Sequence, residues 1–302
     1  MTEYEKHIEL KEKLNRLATL KARQDYFTFL KHTFRGKKNP TWNWHHRYIC
    51  NVLSDFILTD NYNRLMIFMP PQHQKSTMMT EFLPPFAFGI NPDIQIILTM
   101  YNSTFASSYN RRIQRIIMSD TYKELFPNTK LNESNSSSIP FVRNTEKFEI
   151  VDRVGFLKSV GVGGGIAGEP GKIILMDDVI KNVEEGNSLT YRNKTYDWFT
   201  DEIEARLHND SKIAFTITRR HEDDLAGRLI ARDGLIEDGG IWKVIVVPAI
   251  KENNDNPDDI REIGEALFPE LHSLERLLYR KEKSPRTFTS LYQQRPAPTE
   301  GN

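Results

Sequence analysis

Five short runs of the chain are apolar without polar alternation: RLMIFM (64–69), IQIILTM (94–100), KIILMDD (172–178), KIAFTIT (212–218) and WKVIVVP (242–248). Short β-rich runs of this kind predict strands buried on both faces. Helix-like segments at 76–88, 103–118, 190–207 and 222–232 lie between several of them. Strands alternating with helices predict an α/β protein with a mainly parallel central sheet flanked by helices. Ahead of the first strand, Leu10, Leu14, Leu17 and Leu20 recur at helical spacing, which predicts a helix over residues 3–35. A break at RGKKNPTWNWHHRY and a second helix from about His46 to Leu58 follow. Residues 131–160 differ, with a polar NESNSSS loop and a candidate hairpin of KFEIV against GFLKSV. The tail RPAPTEGN reads as a boundary or linker.

Composition changes this picture little. The chain has 302 residues, 38% hydrophobic and 27% charged, enough apolar material for a sizeable core. Its formal net charge is zero, which argues against a globally basic nucleic-acid coat but not against a local patch. Residues 1–38 carry ten Lys/Arg against five Asp/Glu, and residues 251–265 carry six acids against two bases. Cys50 is the one cysteine, so no internal disulfide or zinc cluster is expected, and reducing cytosol is the expected compartment. The charged N-terminus does not read as a signal peptide, and no apolar run reaches the roughly 18 residues of a membrane span.

Residues 69–77, MPPQHQKST, follow the first strand and precede a helix. A strand–loop–helix connection aims backbone N–H groups and the positive helix end at the loop, a natural phosphate site. The usual signature G-x-x-x-x-G-K-[ST] has glycines where this chain has Met69 and Gln74. Pro70 and Pro71 preset φ and offer another way to shape the loop. On this reading Pro71, Gln72, His73, Gln74, Lys75, Ser76 and Thr77 cradle a nucleotide, with Lys75 on the β- and γ-phosphates and Ser76 on Mg²⁺. The bland alternative is an ordinary helix start.

Two further elements favour the phosphate loop. KIILMDD ends a strand in two acids: Asp177 to hold Mg²⁺ through water, Asp178 to act as base or water-positioner. FTITRRHEDDLAGRL places Thr218 at a strand exit as a γ-phosphate sensor, with Asp223 and Asp224 opening a helix. Together, in this order, the three elements fit one NTPase that uses a nucleoside triphosphate with Mg²⁺.

At this point the chain resembles the large terminase subunit of tailed bacteriophages, over about Phe27 to Gly301. PPQHQKS is similar to that family's PPRHGKS, TRRHEDDLAGRL to its TRWHEDDLAGRL, and TMYNSTFASSYNRR, GVGGGIAGEPGKIILMDDVIKN and LYQQRPAPTEG match its further segments in order. The resemblance implies an ASCE-type P-loop NTPase with the Asp177 and Thr218 strands on the same side of the phosphate-loop strand. It implies an ATPase core over 61–250, an N-terminal helical, adenine-side segment over 1–60, and a small linker region over 251–302. It implies ATP-driven translocation of double-stranded DNA into a procapsid in the host cytoplasm. The implied partners are a portal protein, a small terminase subunit and a homo-oligomeric ring, a pentamer, that is a monomer in dilute solution; no membrane is involved. Family members continue into a nuclease domain, so this chain, ending at Asn302, is expected to lack cleavage.

The departures are Gln72 in place of a loop arginine, Gln74 for the second glycine, Arg220 for the aromatic of TRW, and Asp178 for the commoner Glu. Candidate arginine fingers are Arg206, Arg219 and Arg228, with Arg206 favoured in trans and Arg219 able to act in cis. Trp44 or His46, from TWNWHHRYI, is the candidate adenine contact. The glycines from Gly161 to Gly171 suit a loop beside the nucleotide or ring channel, and Arg111, Arg112 and Arg115 a DNA phosphate track. The competing functions are a helicase-like translocase and a catalytically weak portal-docking module.

Overall fold

The computed structural model describes residues 3–34, 41–133, 140–166 and 168–296. Most of the NESNSSS loop, residues 35–40 of the break after the first helices and most of the RPAPTEGN tail lie outside them. Among the described residues, seven strands form one sheet: β1 (Arg64–Phe68), β2 (Gln95–Met100), β3 (Lys147–Glu149), β4 (Phe156–Gly161), β5 (Ile173–Asp177), β6 (Lys212–Thr216) and β7 (Trp242–Val246). Their order is β3-β4-β2-β5-β6-β1-β7, and every pair is parallel except β3 with β4. The mainly parallel sheet and the KFE/GFLKSV hairpin agree with the sequence reading. The strand ending in Asp177 and the strand leading to Thr218 both lie on the β6 side of β1.

Absence of alternation in the strands has the expected cause. Leu65 and Ile67 of β1 enter one apolar cluster, and Met66 and Phe68 enter the other on the opposite face. The first face is covered by α2 (Tyr26–Thr33), α3 (Trp44–Leu58), α4 (Leu83–Ile90), α5 (Ser103–Ile117) and α6 (Asp120–Leu125). The second is covered by α8 (Leu189–Trp198), which follows the short α7 (Val183–Asn187), and by α9 (Leu225–Asp233). A third cluster of Ala249, Ile250, Ala266, Leu277 and Phe288 supports the segment after β7, including α10 (Leu274–Lys283).

Three helical expectations are corrected. Residues 3–35 are not one helix: α1 (Glu3–Ala22) ends, and Asp25 restarts the chain by accepting from Thr28 N at 2.7 Å, an N-cap for α2. The leucines that predicted α1 are exposed, Leu17 at 62%, so they mark no core face. The helix after MPPQHQKST is regular only from Leu83; Thr77–Phe82 is a π-helical turn. Pro84 and Pro85 cannot donate back to the carbonyls of Thr80 and Glu81, which disturbs the α pattern there. The predicted helix 190–207 likewise passes through a π turn (Phe199–Ile203) and a 3-10 turn (Glu204–Arg206).

Candidate nucleotide-binding site

Parallel strands bring the carboxyl ends of β1, β5 and β6 to one edge of the sheet, where open α/β sheets bind ligands. MPPQHQKST leaves β1 at that edge. Gln72 and Gln74 have φ of 67° and 63°, the left-handed region that glycine adopts freely. Gln74 stands where the signature has its second glycine, so the loop keeps a glycine-type backbone with glutamine in place. Each such L-residue costs about 1 kcal/mol. The Gln74 Oε1 is also buried without a hydrogen-bond partner.

Lys75 is 8% exposed and its Nζ lies 3.3 Å from Asp178 Oδ1. The same Oδ1 accepts from Thr218 N at 2.8 Å and Thr218 Oγ1 at 3.0 Å. Asp178 itself has φ of 42°, held by its N–H to Thr216 O at 3.0 Å and by Tyr101 N to its carbonyl at 3.2 Å. Burial opposes its ionisation, but Lys75 and the Thr218 donors outweigh it and hold the carboxyl below its ordinary value. Asp178 is therefore an ionised acceptor, better suited to orienting water than to keeping a proton.

Asp177 is fully buried. Burial first, then the neighbouring Asp178, push its pKa up to about 6, against Lys75 and the hydroxyls of Ser76 and Thr80. Thr80 Oγ1 donates to its Oδ2 at 2.7 Å, and Oδ1 has no hydrogen-bond partner. An orphan carboxylate oxygen beside the Ser76 hydroxyl is an all-oxygen donor set of the kind Mg²⁺ takes. Among the described residues no group of three or more His, Cys, Asp or Glu is placed to hold a metal.

Other candidates fall elsewhere. His73 is fully buried and turned away from the loop surface: its ring stacks on His272 at 4.6 Å and meets His45 edge-on at 6.1 Å. His46 is fully buried too; its Nδ1 accepts from Asn43 N at 2.9 Å in a capping box at the start of α3, and its ring lies 3.9 Å from His45. No face of His46 is left for a base to stack on, so the sequence expectation for it is corrected. Trp44 is half-buried between Tyr48, at 5.8 Å, and the Arg261 guanidinium, at 5.6 Å.

Arg219 is not a free finger. Its Nε donates to the fully buried Asp224 at 2.7 Å and its guanidinium lies over Phe68 at 4.9 Å. Asp224 in turn caps α9 through Gly227 N at 2.9 Å. Arg228 is paired with Asp223 at 2.7 Å. Arg206 precedes β6 and so lies toward the amino ends of the strands, away from the loop; it pairs with Glu202 at 3.9 Å. Gly161 is required by packing: a Cβ there would meet Ser103 N at 2.4 Å. Sequence reasoning missed Thr80, which lies in the π turn and donates to Asp177.

No protein-family model matches the chain, and no curated protein matches it. Among solved structures, the HK97 bacteriophage large terminase aligns over 91% of this chain and 55% of its own, at 12% identity and TM-score 0.57. The ATPase domain of the Thermus phage P74-26 large terminase aligns over 78% of this chain and 90% of its own, at 12% identity and TM-score 0.51. A point mutant of that domain aligns over 86% and 95%, at 11% identity and TM-score 0.52. This chain has the fold of a large-terminase ATPase domain. It spans about half the length of the HK97 terminase chain it matches. In this fold the strand ending in Asp177 and the strand leading to Thr218 lie in sequence on one side of β1, in the order β5-β6-β1. No helix among the described residues is long and apolar enough to cross a membrane.

Proposed function

We propose that the protein is the ATPase motor domain of a phage large terminase, hydrolysing ATP to drive double-stranded DNA into a procapsid. The observation that carries this reading is the convergence of Lys75, Asp177, Asp178 and Thr218, from three separate strand ends, on one loop of phosphate-loop geometry. In the proposed site the β- and γ-phosphates take Lys75 from Asp178 and lie on the backbone N–H groups of residues 72–77. Ser76 directly, and Asp177 through water, would hold Mg²⁺, which when bound neutralises charge on the β- and γ-oxygens.

Asp178 then orients a water in line with the γ-phosphorus. The water oxygen bonds to phosphorus, and the bond from phosphorus to the ADP oxygen breaks with its electron pair left on ADP. The water's proton passes to the phosphate oxygens, and ADP and inorganic phosphate leave. Thr218, bonded to Asp178 through both backbone and hydroxyl, reports the γ-phosphate to the loop that runs on to α9.

The portal protein, the small terminase subunit, a pentameric ring with Arg206 reaching a neighbour's site, and the division into 1–60, 61–250 and 251–302 belong to the same proposal; the terminase-like fold supports them. The test is phosphate release from Mg-ATP by the wild type, Lys75→Ala and Asp178→Asn, with and without linear double-stranded DNA. Turnover lost in both variants supports the reading. Absence of ATP binding by the wild type would sink it.

A further inference from the structure

The phosphate loop carries one cation, Lys75, with uncharged glutamines at 72 and 74. A γ-phosphoryl group in transfer spreads negative charge over three oxygens, and one ammonium leaves much of it unbalanced. Arginines near the site divide by their engagement. Arg219 and Arg228 are paired to Asp224 and Asp223. Arg192 is buried and spent on Asp223 and the carbonyls of Gly186 and Asn187.

Arg220 differs from these. It follows Thr218 by two residues on the loop that Asp178 grips through Thr218 N at 2.8 Å and Oγ1 at 3.0 Å. Its stem is packed against Gly186, where an added Cβ would lie 2.8 Å from the Arg220 Cβ and 3.0 Å from its Cδ. Only a glycine at 186 lets the arginine lie there. Its Nε is buried with no hydrogen-bond partner. Burial lowers its basicity, while the charges of Asp178 and Glu185 act to restore it. A half-buried guanidinium with an unmet donor, packed on Gly186 and two residues beyond the Thr218 that bonds Asp178, is prepared for an anion.

Resting on the ATPase reading above, we infer that Arg220 is the second cation of the phosphate site, contacting the γ-phosphate in cis during transfer. The planar fork suits phosphate oxygens in a way an ammonium does not. In this arrangement Thr218 and Arg220 move as one unit, so the residue that senses the γ-phosphate also delivers the charge.

The test measures steady-state phosphate release, and binding of ADP and of ADP–aluminium fluoride, for the wild type, Arg220→Gln, Arg220→Lys and Lys75→Ala, each checked for a native melt. The expected result is a kcat roughly 100-fold or more lower in Arg220→Gln, with partial recovery in Arg220→Lys. ADP affinity is expected within about threefold of wild type, and affinity for the transition-state mimic to fall with kcat. Adding an excess of Lys75→Ala chains, whose Arg220 is intact, leaves the Arg220→Gln rate unchanged. Wild-type turnover that depends on Lys75 but is equal in Arg220→Gln overturns this inference alone, as does rescue by the Lys75→Ala chains, which assigns the charge to a neighbour. A wild type that neither binds nor hydrolyses Mg-ATP overturns the ATPase reading and this inference with it.

Discussion

Lys75 Nζ and Asp178 Oδ1 lie 3.3 Å apart, joining the end of β1 to the end of β5 across the intervening β6. The lysine that would meet phosphate is thus held by the carboxylate that would meet water, and nucleotide entry must exchange one partner for the other. Lys75→Ala is expected to lose ATP binding. Asp178→Asn, nearly isosteric but neutral, is expected to keep binding while kcat falls roughly 100-fold or more. Calorimetry of ATP binding beside phosphate release separates the two; equal loss of binding in both would contradict the exchange.

Gln74 occupies a glycine conformation. Gln74→Gly removes a left-handed strain of about 1 kcal/mol, partly offset by the greater freedom of glycine in the unfolded chain. The expected outcome is a melting temperature equal to or slightly above wild type, with ATP binding retained. Gln74→Val, β-branched at a positive φ, is expected to be less stable than wild type. A Gly variant markedly less stable than wild type would show that the glutamine side chain is itself needed.

Arg219→Ala leaves the fully buried Asp224 carboxylate without its guanidinium. Removing one partner of a buried pair typically costs about 3–5 kcal/mol. Chemical denaturation should show a loss of this order, and Asp224→Asn together with Arg219→Ala should be less harmful than the two single losses summed. A loss under about 1 kcal/mol would place the pair in solvent.

His45, His46 and His73 form a buried neutral cluster behind the loop that follows β1. Burial is the largest cause in each case, lowering His45 from its ordinary 6.5 to about 2 and His46 and His73 to about 4. The unfolded chain therefore binds these protons near pH 6.5 while the folded chain does not, and stability rises with pH across that interval. Their contribution is complete above pH 6.5 and is lost as pH falls toward 4. Ring proton signals by NMR should stay those of neutral histidine at pH 5.5 for these three, and denaturation midpoints should fall between pH 7 and 5. Titration of the three near pH 6.5 would refute the assignment.

Much of the architecture was legible in the chain because its causes are local. Non-alternating apolar runs report strands covered on both faces, and the spacing of helical segments between them leaves a parallel sheet as the economical arrangement. Lys75, Ser76, Asp177 and Asp178 were readable as candidates because strand–loop–helix and strand–acid–acid patterns are contiguous in sequence. The break at Asp25 was readable in principle as a capping residue, but the leucines at 10, 14, 17 and 20 outweighed it, although α1 buries none of them. Tertiary structure alone decided the rest. It turned His46 and His73 inward because an apolar wall, including Phe268, accepts neutral rings there. It spent Arg219 on a carboxylate five residues away, which identical charge in sequence could not distinguish from Arg220. Sequence determines which groups exist and which local backbone they favour. Only packing decides which charge is already paired and which keeps an unmet donor.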